Sequence, residues 1–231
     1  MTLGILGGLG PAATVYFYDM LTSMTQASCD QDHIDIVISS RASTPDRTAY
    51  ILGTSNDNPA EYMVADAKKL VAFGADVIAI PCNTAHYFYD EVAQNIDVDV
   101  LNIIEQTCYA VKIAGGTCIG ILATEGTVKS QAYHVVAHKM GLECVSPSRE
   151  GQSLINSIIY DRIKQGKSVD INSFMSVAED LFEHGADKIV LGCTELSLLC
   201  REYCFDDRFV DSLKSLAVSV LKKFNKNIVK R

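Results

Sequence analysis

Short β-branched runs alternate along this chain with longer segments whose apolar residues recur at helical spacing. The pattern predicts strands near 2–6, 34–39, 76–80, 99–101, 117–122, 142–145 and 187–191. It predicts helices near 12–27, 59–72, 84–95, 103–114, 129–140, 150–165, 171–183 and 211–225. In the last of these, Leu213, Leu216, Ala217, Val220, Leu221 and Phe224 share one face, so that helix needs a surface to pack on. Proline and glycine punctuate the element ends at Pro45, Pro59, Gly74, Gly115, Gly116 and Gly141. The alternation is the rhythm of βα units on parallel sheets, which makes the expected fold class α/β.

The pattern also repeats. Gly74-Ala75-Asp76-Val77-Ile78-Ala79-Ile80-Pro81-Cys82 is nearly copied at Gly185-Ala186-Asp187-Lys188-Ile189-Val190-Leu191-Gly192-Cys193. Gly4-Ile5-Leu6, running into Gly7-Gly8-Leu9-Gly10-Pro11, is echoed by Gly120-Ile121-Leu122, running into Ala123-Thr124-Glu125-Gly126-Thr127. Two similar halves follow, each contributing one cysteine at a strand end. Ligands of open parallel sheets bind beyond the carboxyl ends of the strands. Both cysteines and both turns belong to that edge, so the two thiols are expected to face one another across a shared cleft.

Composition narrows the possibilities. A chain of 231 residues accommodates two domains of about 100 to 120 residues, each able to bury a core. Apolar content of 48% with 8% aromatics and no tryptophan is that of a globular enzyme core. The net charge of -8 argues against nucleic acid as a partner. The sequence has no apolar run long enough to span a membrane and no secretory pattern at its start, so no membrane association and a cytoplasmic location are expected. The eight cysteines are then expected to be reduced thiols. There is no Cys-x-x-Cys, and His134 and His138 have no evident third ligand, so no metal is expected.

Cys82 is followed by Asn83, Thr84, Ala85 and His86, and Cys193 by Thr194, Glu195 and Leu196. A thiol at the start of a helix is expected to have a lowered pKa, and free amides there can hold an anion. The other six cysteines read as small buried hydrophobes. Two readings stand for His86 and Glu195: they tune the thiols, or they only begin their helices. Arg47 reads either as an anchor for an anion or as half of a surface ion pair, and Lys164 either as an anchor or as a solvated helix end. The turn at 7–11 lacks both the dinucleotide fingerprint and the P-loop ending, which argues against a nucleotide but leaves amides able to hold a carboxylate.

Taken together, Gly7-Gly8-Leu9-Gly10-Pro11-Ala12-Ala13-Thr14, Pro45-Asp46-Arg47-Thr48, Pro81-Cys82-Asn83-Thr84-Ala85-His86, Leu122-Ala123-Thr124-Glu125-Gly126-Thr127 and Leu191-Gly192-Cys193-Thr194-Glu195-Leu196 resemble the cofactor-independent aspartate racemases of the aspartate/glutamate racemase superfamily. The resemblance covers residues 3 to about 225. It implies two similar α/β/α domains with parallel sheets related by a pseudo-twofold axis, a site between them, no cofactor and a homodimer. By that resemblance the first domain is 1–99 plus 208–231 and the second 100–207, with the terminal helix returning to the first. It makes Cys82 and Cys193 the catalytic pair and Arg47 and Lys164 the anchors of the β-carboxylate. Gly8, Asn83, Thr84, Thr124, Thr127 and Thr194 would hold the α-carboxylate of a small dicarboxylic amino acid, aspartate.

Glutamate racemases of the superfamily usually carry histidine where this chain has Glu195, which favours aspartate. Arg41 and its neighbours before Pro45 are less typical. The expected chemistry is proton transfer at the α-carbon, one sulfur removing the proton and the other replacing it on the opposite face. Glutamate or broad-specificity racemisation, cis-trans isomerisation of a diacid, and a non-catalytic amino-acid sensor remain alternatives.

Overall fold

The computed structural model describes residues 1–229. It contains two four-stranded parallel sheets. The first has the order β2-β1-β3-β4, from β1 (Thr2–Gly7), β2 (Asp35–Ser40), β3 (Val77–Ala79) and β4 (Asp99–Leu101). The second has the order β6-β5-β7-β8, from β5 (Cys118–Leu122), β6 (Glu143–Val145), β7 (Lys188–Leu191) and β8 (Phe209–Asp211).

The repeat is visible atom by atom. Asp76 accepts the backbone N–H of Thr2 at 2.7 Å, and Asp187 accepts that of Thr117 at 2.7 Å, so each acid fixes the entry of its sheet's central strand. Gly4 and Gly120 sit in those central strands with no room for a side chain. A Cβ at Gly4 would lie 2.5 Å from Ile78, and one at Gly120 would lie 2.6 Å from Ile189.

Helices α1 (Pro11–Met24), α2 (Arg47–Ile51), α3 (Pro59–Ala72) and α4 (Tyr89–Ala93) belong to the first half. After α5 (Ile103–Ile113), the second half supplies α6 (Glu125–Lys129), α7 (Ala132–Lys139), α8 (Arg149–Ser157), α9 (Ile171–Glu183) and α10 (Ser212–Lys223). The helices that leave the two sheets, α5 after β4 and α10 after β8, pack on each other and cross over: α5 lies against α7, and α10 against α1. Asn102 and Asp211 begin them, each accepting first-turn backbone N–H groups. One core therefore runs through both halves, joining Leu3, Ile5 and Phe17 to Ile119, Ile121, Tyr133 and Leu216. The outer faces are sealed separately, by α3 over Ile78 and Ile80 and by α9 over Ile189 and Leu191.

Several elements differ from the sequence pattern. Residues 209–211, anticipated as part of no strand, form β8 and pair with β7, whereas the strand anticipated at 99–101 is β4 and pairs with β3. The last strand of the first sheet ends at Leu101 and that of the second at Asp211. The stretch at 84–95 is a 3-10 turn followed by α4. The anticipated helix at 150–165 keeps α-geometry only through Ser157, continues as a π-turn over Ile158–Arg162 and tightens to 3-10 over Ile163–Gln165. No described helix is long and apolar enough to cross a membrane.

Candidate active site

β3 and β7 each end in a short loop that delivers a cysteine to one cleft between the halves. Cys82 and Cys193 both line it, together with Leu9, Asp46, Arg47, Thr48, Asn83, Thr84, Thr124, Tyr160, Lys164, Thr194 and Glu195. The free space within it is only about 10 Å3. Arg47, Lys164 and Glu195 also line a second, outer cavity of about 370 Å3, bordered by Gly8, Pro11, Ala42 and Leu198.

The two halves are latched across the cleft. Thr84 of the first half makes 2.9 Å hydrogen bonds with Thr124 and with Thr127 of the second, and Thr124 and Thr127 are themselves 3.1 Å apart. The Tyr160 hydroxyl donates to Thr48 Oγ1 at 3.0 Å. Gly126 lets α2 and α6 approach so closely, since a Cβ there would fall 2.8–3.1 Å from Thr48. Gly126→Ala is expected to push these helices apart and cost about 1–3 kcal/mol, read as a lowered midpoint in thermal unfolding.

Asn83 is fixed by buried partners. It accepts from the Tyr133 hydroxyl at 2.7 Å and donates to Ser212 Oγ at 2.9 Å, and Ser212 in turn donates to the Leu191 carbonyl at 2.7 Å. This chain of bonds ties the Cys82 loop to the strand that carries Cys193.

Not every anticipated residue enters the cleft. Gly8, in left-handed backbone at φ +81°, borders the outer cavity, and its N–H is taken by Thr14 Oγ1 at 3.0 Å, leaving no free amide for a carboxylate. Thr127 acts through the threonine cluster rather than as a lining residue. Arg47 is 9% exposed and lines the cleft. Its guanidinium donates to the carbonyls of Thr44, Pro45 and Leu9, while its buried Nε has no partner among the described residues. This is not a surface ion pair. Arg41, by contrast, is held by Asp66.

The electrostatics overturn one expectation. Neither cysteine has a lowered pKa: burial pushes the Cys82 thiol up, with Arg47 partly opposing, and burial together with the Glu195 carboxylate holds Cys193 well above the ordinary thiol range. The helices that follow are short 3-10 turns with little dipole to offer, and desolvation outweighs it. Cys193 donates to Glu195 Oε2 at 3.0 Å, and Lys164 Nζ lies 3.8 Å from Glu195 Oε1 and 4.6 Å from the centre of the Tyr160 ring.

Of the two open readings, Glu195 is in contact with a thiol, whereas His86 is structural. Burial lowers the His86 pKa to about 4, and the neutral ring joins the Cys82 carbonyl to the Ile103 N–H. Sequence reasoning missed Tyr160, Thr48, Leu9 and Asp46 as lining residues. Each had a signal: Leu9, Asp46 and Thr48 lie within the quoted motifs at 7–14 and 45–48, and Tyr160 lies one turn before Lys164.

The chain and its fold have relatives among known proteins. The profile described as Asp/Glu/Hydantoin racemase matches residues 6–220. The chain belongs to that family. It is 30% identical to the broad specificity amino-acid racemase RacX of Bacillus subtilis, over 96% of this chain and 97% of that protein. Its structure superposes on Picrophilus torridus aspartate racemase with a TM-score of 0.86 at 28% identity, covering 99% and 96% of the two chains. Glutamate racemase RacE1 of Bacillus anthracis shares the fold at a TM-score of 0.67 and 16% identity, over 97% of this chain and 80% of that one. Family membership makes this chain a racemase-type isomerase.

Proposed function

We propose that the chain interconverts L- and D-aspartate without a cofactor, Cys82 and Cys193 acting as acid and base on opposite faces of the α-carbon. The observation that carries this reading is the convergence of both repeat-related thiols with a buried, incompletely partnered arginine in one cleft. An α-proton is far less acidic than a thiol, so the site must stabilise the charge that develops as it leaves. Asn83, Thr84, Thr124 and Thr194 supply amide and hydroxyl groups for the α-carboxylate. Arg47 and Lys164 meet the β-carboxylate and fix the carbon between the sulfurs. The protein works as a homodimer in the cytoplasm on this reading.

A second reading has its own support: Lys164 is already countered by Glu195, and the outer cavity has room for longer side chains, which favours a broader substrate range. Incubating each enantiomer of aspartate, glutamate and alanine in deuterium oxide separates the two. Aspartate-selective loss of optical rotation with α-deuterium incorporation supports the first, and equal rates on alanine support the second. Absence of exchange with all three rejects both.

The pH dependence follows from the raised thiols. The base is a thiolate, and a thiol with an elevated pKa is mostly protonated near neutrality, so if solvent takes the thiol proton kcat/KM for aspartate should climb as pH rises from 7 through 9. A rate already level at pH 7 would instead mean that a group within the cleft takes that proton.

A further inference from the structure

The two cysteines are repeat partners, but their surroundings are not. Two residues after Cys82 stands Thr84, whose hydroxyl is engaged by Thr124 and Thr127. Two residues after Cys193, at the equivalent place in the second repeat, stands Glu195, whose Oε2 accepts from the Cys193 thiol at 3.0 Å. Among the described residues Cys82 has no carboxylate within hydrogen-bond distance, and the cation nearest in effect is Arg47. Glu195 is 5% exposed yet borders both spaces, the closed cleft that holds the sulfurs and the outer cavity of about 370 Å3. Its other oxygen is steadied by Lys164 at 3.8 Å, and Thr194 Oγ1 lies 3.5 Å from Oε2.

We infer that Glu195 is the proton acceptor of Cys193 and carries that proton between the closed cleft and the outer cavity. This role rests on the proposed racemisation. In the step, the Sγ–H bond of Cys193 breaks and an Oε2–H bond forms on Glu195, leaving a thiolate and a neutral carboxylic acid. The thiolate then takes the α-proton, while Cys82 donates its own to the opposite face. The acid then gives its proton to water of the outer cavity and the Cys82 thiolate regains one from water, so that both thiols and the carboxylate are restored. A buried thiol flanked by a fixed carboxylate is a poor thiolate by itself, and transfer to that carboxylate forms the base without placing a second negative charge in the cleft. The duplication thus supplies two sulfurs, and a single divergent position gives one of them its own base.

Replacing Glu195 by glutamine keeps the shape and a hydrogen-bond acceptor but removes the proton site. Two readouts should move in opposite directions. Racemisation of aspartate should fall at least about 100-fold with KM changed less than about threefold, the range expected for loss of a positioned base. Alkylation of Cys193 by iodoacetamide at pH 7, followed by peptide mapping, should become several-fold faster than in the parent protein, because the neighbouring negative charge is gone and the amide can donate to the thiolate. Cys82 labelling should change far less. A merely structural role predicts instead that both thiols become more reactive together as the cleft loosens.

Retention of more than a tenth of the parent rate in Glu195→Gln, or lost activity with no selective gain at Cys193, overturns the inference. Should the glutamine variant fail to fold, Glu195→Asp gives the decision. A carboxylate drawn back by one methylene should retain measurable turnover and leave Cys193 alkylation slow, and faster Cys193 labelling there would count against the role. A parent protein that racemises none of the amino acids tested rejects the proposed function, while the alkylation comparison still reports whether Glu195 governs Cys193.

Discussion

Cys82→Ser and Cys193→Ser should each lower aspartate racemisation by about 1,000-fold or more, measured by chiral chromatography from either enantiomer. A serine hydroxyl fits where the sulfur was, since both cysteines are 5% exposed and packed at strand ends, so the fold should be unaffected. The loss is chemical: a hydroxyl buried in this cleft neither ionises to a useful base nor gives up a proton as readily as a thiol. Each turnover needs one group to take the proton and the other to supply one. Neither substitution should therefore spare a direction, and the double variant should be hardly worse than either single one, as for residues that act as a unit. At equilibrium between enantiomers of equal energy, the two values of kcat/KM must fall together. A single variant within tenfold of the parent rate rules out the two-thiol mechanism.

Much of this arrangement was legible in the repeat. The copied strand endings placed both cysteines at the same edge, and their following residues became the lining of the cleft. The hidden parts are those fixed by contacts distant in sequence. β8 has only Phe209 and Val210 as apolar residues in a three-residue strand, and its identity comes from pairing with β7 rather than from any periodicity. α2 is five residues long, too short for a helical pattern, and is held by the Asp46 side chain accepting from Ala49.

The thiol pKa values went the other way because a sequence displays the start of a helix but not the burial around it. The bond from Arg47 to the Leu9 carbonyl spans the distance from one loop to another across the sheet edge, and nothing local to either residue announces it. Glu195 is the instructive intermediate case. Its position beside Cys193 was plain, yet only the 3-10 turn at Leu196–Arg201 brings its carboxylate back onto the sulfur.

Arg47→Ala should cost about 3 kcal/mol in transition-state stabilisation for aspartate, a loss of roughly a hundredfold in kcat/KM. Three of its N–H groups hold the carbonyls of Thr44, Pro45 and Leu9, which shapes the loop and points the fork, and the unpartnered Nε marks the donor left for a ligand. Truncation has two effects, loss of a charge from the cleft and loosening of three backbone carbonyls, and the substrate series separates them. A loosened loop lowers turnover of aspartate and alanine alike, whereas loss of the β-carboxylate anchor lowers aspartate selectively. The ratio of kcat/KM for aspartate to that for alanine, which is insensitive to the folded fraction, should therefore collapse in the variant.

Arg47→Lys should not restore that ratio, because an ammonium group cannot reproduce the planar fork that spans Leu9 and the 44–45 turn. Lys164→Ala should be milder towards aspartate, since Lys164 is partly exposed and its charge is shared with Glu195. If Arg47→Ala lowers aspartate and alanine by the same factor, Arg47 shapes the loop only, and the cleft is that of a racemase indifferent to the second carboxylate.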